Sequence, residues 1–214
     1  MPPPGAPQRL CGAPPGAEVH HPEPLIWTLD GVADPRECEH LIELARPGLK
    51  RAVVSGDREG ITSQGRTNAV VWVPHGADPI TRALCQRIAD LVALPLDHAE
   101  AMQVIAYGPG QEYRPHFDAY DLNTERGRRC SVRGGQRLLT ALLYLSDVHA
   151  GGGTEFPRLH RVVQPSRGRL LVFHDCHPGT NTRHPDTLHA GLPVLEGSKW
   201  AFNLWFHERP FRAP

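Results

Sequence analysis

Residues 111 to 120 read QEYRPHFDAY and set His116 two positions ahead of Asp118. On an extended strand residues i and i+2 project to one face, so an imidazole nitrogen and a carboxylate oxygen can converge on a single metal ion. His-x-Asp alone is a weak signal, often no more than a solvated pair, and a second copy stands at His184 and Asp186. A facial set of two imidazoles and one carboxylate needs a further histidine from another strand, with the remaining coordination positions open. Behind the second copy, His189 follows too closely on the same segment, Pro185 interrupts strand pairing, and only His207 lies beyond. The first copy has His189 far downstream on another strand-like stretch, with Lys199 a short turn later. Lysine occurs only at positions 50 and 199, so Lys199 stands out.

These residues need elements to carry them. The stretch ADPRECEHLIELARPG predicts a helix, with Asp34 as N-cap, Pro35 at the first helical position and Glu37 completing a capping box. Its apolar stripe is Cys38, Leu41, Ile42 and Ala45. ADPITRALCQRIADLVALP predicts a second helix with Ile80, Leu84, Ile88, Leu91 and Val92 inward. After Leu96 the period changes: AMQVIAY, RLLTALLYLSD, GRLLVFHD, LHAGLPVL and KWAFNLWFHE read as strands by length, β-branched or aromatic content and Gly/Pro punctuation. In the last, alternation puts Lys199, Ala201, Asn203, Trp205 and His207 on one face and Trp200, Phe202, Leu204 and Phe206 on the other. Helices followed by many strands predict an α+β fold, the helices packed on one sheet of a β-sandwich or barrel. Residues 1–24, rich in Pro, Gly and Ala, read as a flexible tail, and residues 25–214 as one domain.

The 23 basic and 23 acidic residues cancel, which argues against nucleic acid or an anionic membrane as a partner. No apolar run reaches spanning length and the N-terminus lacks a signal-peptide pattern, so a cytoplasmic protein is expected. Five scattered cysteines with no Cys-x-x-Cys spacing predict free thiols.

The blocks MQVIAYGPGQEYRPHFD, RLLTALLYLSDVHAGGGTEFP and HAGLPVLEGSKWAFNLWFH resemble the catalytic domain of prolyl 4-hydroxylase-type Fe(II)/2-oxoglutarate-dependent dioxygenases. The resemblance implies a double-stranded β-helix, or jelly roll, with supporting N-terminal helices. It implies His116, Asp118 and His189 as iron ligands, Lys199 on the far carboxylate of 2-oxoglutarate, and Tyr107 and Thr140 as hydroxyls helping to hold that cosubstrate. For Thr140 a β-branched strand filler is an equal alternative, and for Trp205 core packing stands beside a place on the substrate channel. Arg66, Thr67 and Asn68 match a substrate-contacting segment. Residues 55–70 and 119–135 are polar, Gly-containing loops suited to holding and covering a substrate. GGGTEFP reads as an architectural turn with Phe156 packed below it, and FHDCHPG as surface polar residues.

The implied reaction consumes O2 and 2-oxoglutarate, releases succinate and CO2, and hydroxylates a C–H bond, with ascorbate as a candidate reductant. A prolyl residue or proline-like amino acid, in a peptide or protein, is the leading substrate. The alternatives are a tailoring hydroxylase of another small amino acid or natural product, and a catalytically silent jelly-roll binding module.

Overall fold

A computed structural model describes residues 10–52, 54–55, 60–61 and 65–211. Part of the first candidate loop, residues 56–59 and 62–64, lies outside the described residues. From Met102 onward the chain alternates between two sheets. Met102–Tyr107, Arg137–Tyr144, Leu170–His174 and Lys199–His207 belong to an eight-stranded antiparallel sheet; Tyr113–His116, Thr154–Phe156, Arg161–Val163 and His189–Gly191 form a four-stranded one. This alternation is the double-stranded β-helix. Glu18–Pro22, Leu25–Leu29, Ala69–Val73 and Lys50–Arg51 extend the large sheet at its edges. The tail therefore ends earlier than expected: Glu18–Pro22 pairs with Leu25–Leu29 and belongs to the domain.

The two faces of the large sheet bury different cores. On one, Val104, Leu143, Phe202 and Phe206 pack against the helices Pro35–Ala45 and Pro79–Leu91; on the other, Ile105, Leu142, Leu171 and Ala201 meet Phe156 and Val163 of the small sheet. The capping box at Asp34 and Glu37 is formed. In the second helix the buried stripe is Thr81, Leu84, Cys85, Ile88 and Ala89, and Ile80 is exposed. Thr81 turns inward because its hydroxyl bonds the N-cap Asp78, which satisfies the group that burial would otherwise penalise.

GGGTEFP forms the expected turn. Gly151 and Gly152 adopt φ of 75° and 70°, and a Cβ on Gly151 would meet Pro193 O at 2.3 Å, so glycine is required there. Phe156 lies below, edge-on to Phe173 at 5.2 Å between centroids. LHAGLPVL is two strands, His189–Gly191 in the small sheet and Val194–Glu196 paired with Ala150–Gly151, because Pro193 cannot continue the ladder. Residues 119–135 are folded around a short helix, Glu125–Cys130, and are anchored where Gln136 bonds both Tyr120 N and Tyr120 O. The segment is thus fixed at its base. Among the described residues no helix is long and apolar enough to cross a membrane.

Candidate active site

His116 and His189 are register partners on neighbouring strands of the small sheet, and Asp118 follows just beyond the first strand's end. One ligand atom from each of the three lies within 4.8 Å of the others. His116 Nε2 is 3.7 Å from Asp118 Oδ1, and His189 Nε2 is 3.5 Å from Asp118 Oδ2.

The tautomers decide what this arrangement is for. His116 Nδ1 is 2.9 Å from Arg114 O, and His189 Nδ1 is 2.9 Å from Thr187 O. A carbonyl only accepts, so each Nδ1 carries a proton, and it is Nε2 of each ring that turns inward towards Asp118. Burial pushes the His116 pKa down to about 3, and the neighbouring His189 adds to the effect, so His116 is neutral at ordinary pH. Burial works against the Asp118 charge, but the facing His189 and His116 and the Arg137 guanidinium hold its carboxyl below the usual range. Lone pairs and an anion converging in a buried space repel one another unless a cation sits among them. Two imidazoles and a carboxylate are the donor set that suits ferrous iron, with the backbone carbonyls as orienting partners of the rings.

Lys199 lies on the large sheet opposite Tyr107 in register and is 2% exposed. No carboxylate among the described residues pairs with it; its ammonium stands 5.4 Å from the Tyr107 ring centre and 5.3 Å from that of Tyr144. Burial pushes its pKa down to about 7. A buried cation without a counter-charge is costly, and an incoming carboxylate relieves that cost. Tyr107 is buried beside it, with Gly191 close to the hydroxyl: a Cβ there would lie 3.4 Å from the oxygen. These residues fit a dicarboxylic 2-oxo acid reaching from Lys199 towards the metal ligands.

Thr140 departs from the expectation. Its Oγ1 is 3.0 Å from Asp118 Oδ2 and 2.8 Å from Asp175 Oδ2, so the hydroxyl supports a metal-ligand candidate and does not face the Lys199 end. Asp175 is fully buried, with Oδ1 lacking a hydrogen-bond partner; burial and the nearby Asp118 charge raise its pKa well above the usual carboxylate value. Cys176 beside it is buried too, which corrects the reading of FHDCHPG as surface.

Of the proposed substrate segment, Arg66 lies beside the site. Its guanidinium bonds Asn68 and Gln103 and stacks 4.5 Å above Tyr113, whose ring in turn stacks 3.6 Å from that of His116. Thr67 and Asn68 do other work than expected: the Thr67 hydroxyl exchanges hydrogen bonds with the Glu112 backbone, and Asn68 is fully buried. Trp205 is on the site face but 4% exposed, covered by Arg137 at 3.9 Å and flanked by Trp72 at 5.8 Å. Trp72 itself is 47% exposed.

The sequence reading missed a buried ion network next to this end. Glu100 receives Arg137 through two bonds of 2.6 and 3.1 Å and His207 Nε2 at 2.7 Å. Burial opposes ionisation of Glu100, but Arg137 and His207 prevail and hold its pKa at about 2. Glu100→Ala strands the Arg137 charge and should cost about 3–5 kcal/mol of stability, measured by urea unfolding. Because the folded pKa is lowered, this contribution is present above the unfolded value of about 4.3 and fades as pH falls towards 2. A wild-type protein with no stability loss across that interval would contradict the assignment.

The 2OG-Fe(II) oxygenase superfamily model matches residues 102–207. Prolyl 4-hydroxylase 5 of Arabidopsis thaliana is 33% identical over 218 residues, covering 91% of this chain and 72% of that protein. Prolyl 4-hydroxylase subunit alpha-1 of Gallus gallus is 37% identical over 194 residues, covering 89% of this chain and 37% of that longer one. Among solved structures, the viral collagen prolyl hydroxylase of Paramecium bursaria Chlorella virus-1 in its 2-oxoglutarate complex superposes with a TM-score of 0.67 at 28% identity, over 84% of this chain and 94% of that one. The chain belongs to the 2-oxoglutarate- and Fe(II)-dependent oxygenases of the prolyl 4-hydroxylase type. Its cofactor is Fe(II), and its cosubstrates are 2-oxoglutarate and O2.

Proposed function

We propose that the chain hydroxylates prolyl residues in a peptide or protein, with iron on His116, Asp118 and His189 and the far carboxylate of 2-oxoglutarate on Lys199. The observation that carries this reading is the pair of histidines whose Nδ1 protons are committed to backbone carbonyls, so that both Nε2 atoms face Asp118, in a sheet opposite a buried lysine with no carboxylate partner among the described residues. Bound there, ferrous iron with the 2-oxo acid and O2 supplies oxidative decarboxylation to succinate and CO2 coupled to hydroxylation of an unactivated C–H bond. The protein's own part is positional. Lys199 and Tyr107 anchor the cosubstrate, the Arg114 and Thr187 carbonyls aim the imidazoles, and the surrounding apolar residues exclude water. The prolyl substrate is supported by the relatives' activity, by Arg66 packed on Tyr113 beside the metal ligands, and by the exposed Trp72 against Trp205. Trp205 acts there from beneath, by fixing Trp72 and Arg137.

Incubation with Fe(II), 2-oxoglutarate and proline-containing peptides, set beside free proline, tests the assignment by mass spectrometry. One added oxygen on the peptide, matched by succinate, is expected. Oxygen on the free amino acid alone would favour a tailoring hydroxylase, and no succinate in any mixture would favour a silent binding module. Ascorbate belongs to the same reading as the reductant that restores ferrous iron. So does a reducing, cytoplasmic setting, which the buried thiols of Cys38, Cys85 and Cys176 support.

Thr140 separates two roles for one hydroxyl. Thr140→Val should raise the Fe(II) concentration needed for half-maximal turnover by about 10–100-fold, the usual effect of losing a partner of a metal ligand. The 2-oxoglutarate requirement should change less, and Thr140→Ser should restore iron affinity. A variant altered only in its 2-oxoglutarate requirement would return Thr140 to the cosubstrate.

A further inference from the structure

A second group of metal-type donors lies outside the active site. Glu23, in the turn between the first two strands, His177, in the loop after Leu170–His174, and His184, at the N-cap of the turn Pro185–Thr187, each place one ligand atom within 4.8 Å of the others. The two imidazoles stand 4.2 Å apart between centroids. These residues come from segments separated by more than a hundred positions, so the fold has assembled them; the sequence pattern does not. We propose that Glu23, His177 and His184 bind a second divalent cation, zinc by the chemistry of the donors, which clamps the N-terminal hairpin to the loop leading into His189.

Neutral imidazoles and one carboxylate are zinc ligands, with bonds of about 2.0–2.2 Å that bring donors to roughly 3.4 Å apart in a tetrahedron. The cluster must therefore tighten by about 1.4 Å at most. Glu23 is exposed and His177 half-buried, so both side chains have room to swing onto His184, which is buried and fixed. Among the described residues no hydrogen bond or ion pair claims the Glu23 carboxylate or the His177 ring, and the only bond on a His184 ring nitrogen is a long one, from Asp186 N–H to Nδ1 at 3.2 Å. Burial and the adjacent His177 hold the His184 pKa below the usual value, which keeps the ring in the ligating form. A water or a further side chain completes the coordination.

The position gives the cation a purpose. His184 N–H donates to Asp175 O at 2.9 Å, and the Thr187 hydroxyl donates to His184 O at 2.7 Å. Thr187 O is the acceptor for His189 Nδ1, so a fixed His184 steadies the carbonyl that aims an active-site imidazole. The pairing of Leu25–Leu29 with Leu170–His174 brings the hairpin to this loop, and the cation would join Glu23 to it directly.

Zinc binding by the metal-stripped full chain, measured by equilibrium dialysis at low-micromolar free zinc with elemental analysis, tests this. Wild type should take up about two equivalents, since zinc also enters the iron site, and His177→Ala about one. Asp118→Asn should keep the equivalent that His177→Ala loses, and the pair combined should bind almost none. Zinc should also raise the melting temperature of Asp118→Asn, and this rise should vanish when Glu23→Gln is added. His177 is on a half-exposed loop, and a native far-ultraviolet spectrum for its variant will show that the loss is local. One equivalent in wild type, or equal uptake by wild type and His177→Ala, overturns the proposal. Should Asp118→Asn fail to fold, the comparison of wild type with His177→Ala decides it alone.

Discussion

His189→Ala should lose iron and turnover together while keeping its fold. Iron content after anaerobic loading should drop to background, and hydroxylation should fall by much more than the 10–100-fold typical of losing a ligand's supporting partner. The fold survives because His189 occupies one end of the short strand His189–Gly191, whose other backbone pairings do not depend on the ring, and because the two cores lie on either side of the large sheet. Asp118→Asn sharpens the test. The rise in melting temperature that iron produces in wild type should disappear in this variant. A His189→Ala protein with wild-type iron content and activity would show that the three residues are not the iron ligands.

Local spacing encodes much of what could be found from the sequence. Asp34, Pro35 and Glu37 announce a helix start within four positions, and the structure forms that capping box. His116 and Asp118 are two apart, and the block around them is dense enough to identify. What escaped depends on partners distant in the chain. Glu100 meets Arg137 and His207 across 37 and 107 positions, and neither separation leaves a local pattern. The same holds for Thr140. Strand alternation places its side chain on the site face, but only the packing of Asp118 and Asp175 from other segments turns its hydroxyl towards them. Ile80 failed for a simpler reason: hydrophobicity ranked it above Thr81, whereas the cap residue Asp78 made the threonine cheaper to bury. Glu18–Pro22 was hidden by composition, since an edge strand tolerates Pro and its order comes from the partner strand Leu25–Leu29.

Lys199→Ala should raise the 2-oxoglutarate concentration needed for half-maximal turnover by about a hundredfold or more. Losing one member of a buried charge pair costs on the order of 3–5 kcal/mol, because the other is left without compensation, and each 1.4 kcal/mol is about tenfold. Iron affinity should change much less. Lys199→Arg keeps the charge but brings a planar, bulkier group between Tyr107 and Tyr144, so partial loss is expected. The wild-type pH dependence carries the same signature. In the ligand-free protein the Lys199 pKa lies at about 7, so above it the pocket must bind a proton along with the dicarboxylate, and apparent affinity should fall as pH rises. Stability runs the other way. Between about 7 and 10.4 the unfolded chain holds a proton that the folded protein has released, so the ligand-free fold gains stability as pH rises through that interval. Isothermal titration with 2-oxoglutarate on either side of neutrality, using wild type and Lys199→Ala, measures the first effect, and urea unfolding of the ligand-free protein between pH about 7 and 10 the second; the variant should bind weakly and show a flatter pH profile in both. An unchanged 2-oxoglutarate requirement in Lys199→Ala would sink the assignment and move attention to another cation. Arg137 is already committed to Glu100, and Arg169 to Asp30 at the far edge of the large sheet. Arg66 then remains, a guanidinium beside the metal ligands whose described partners are neutral amides and an aromatic ring.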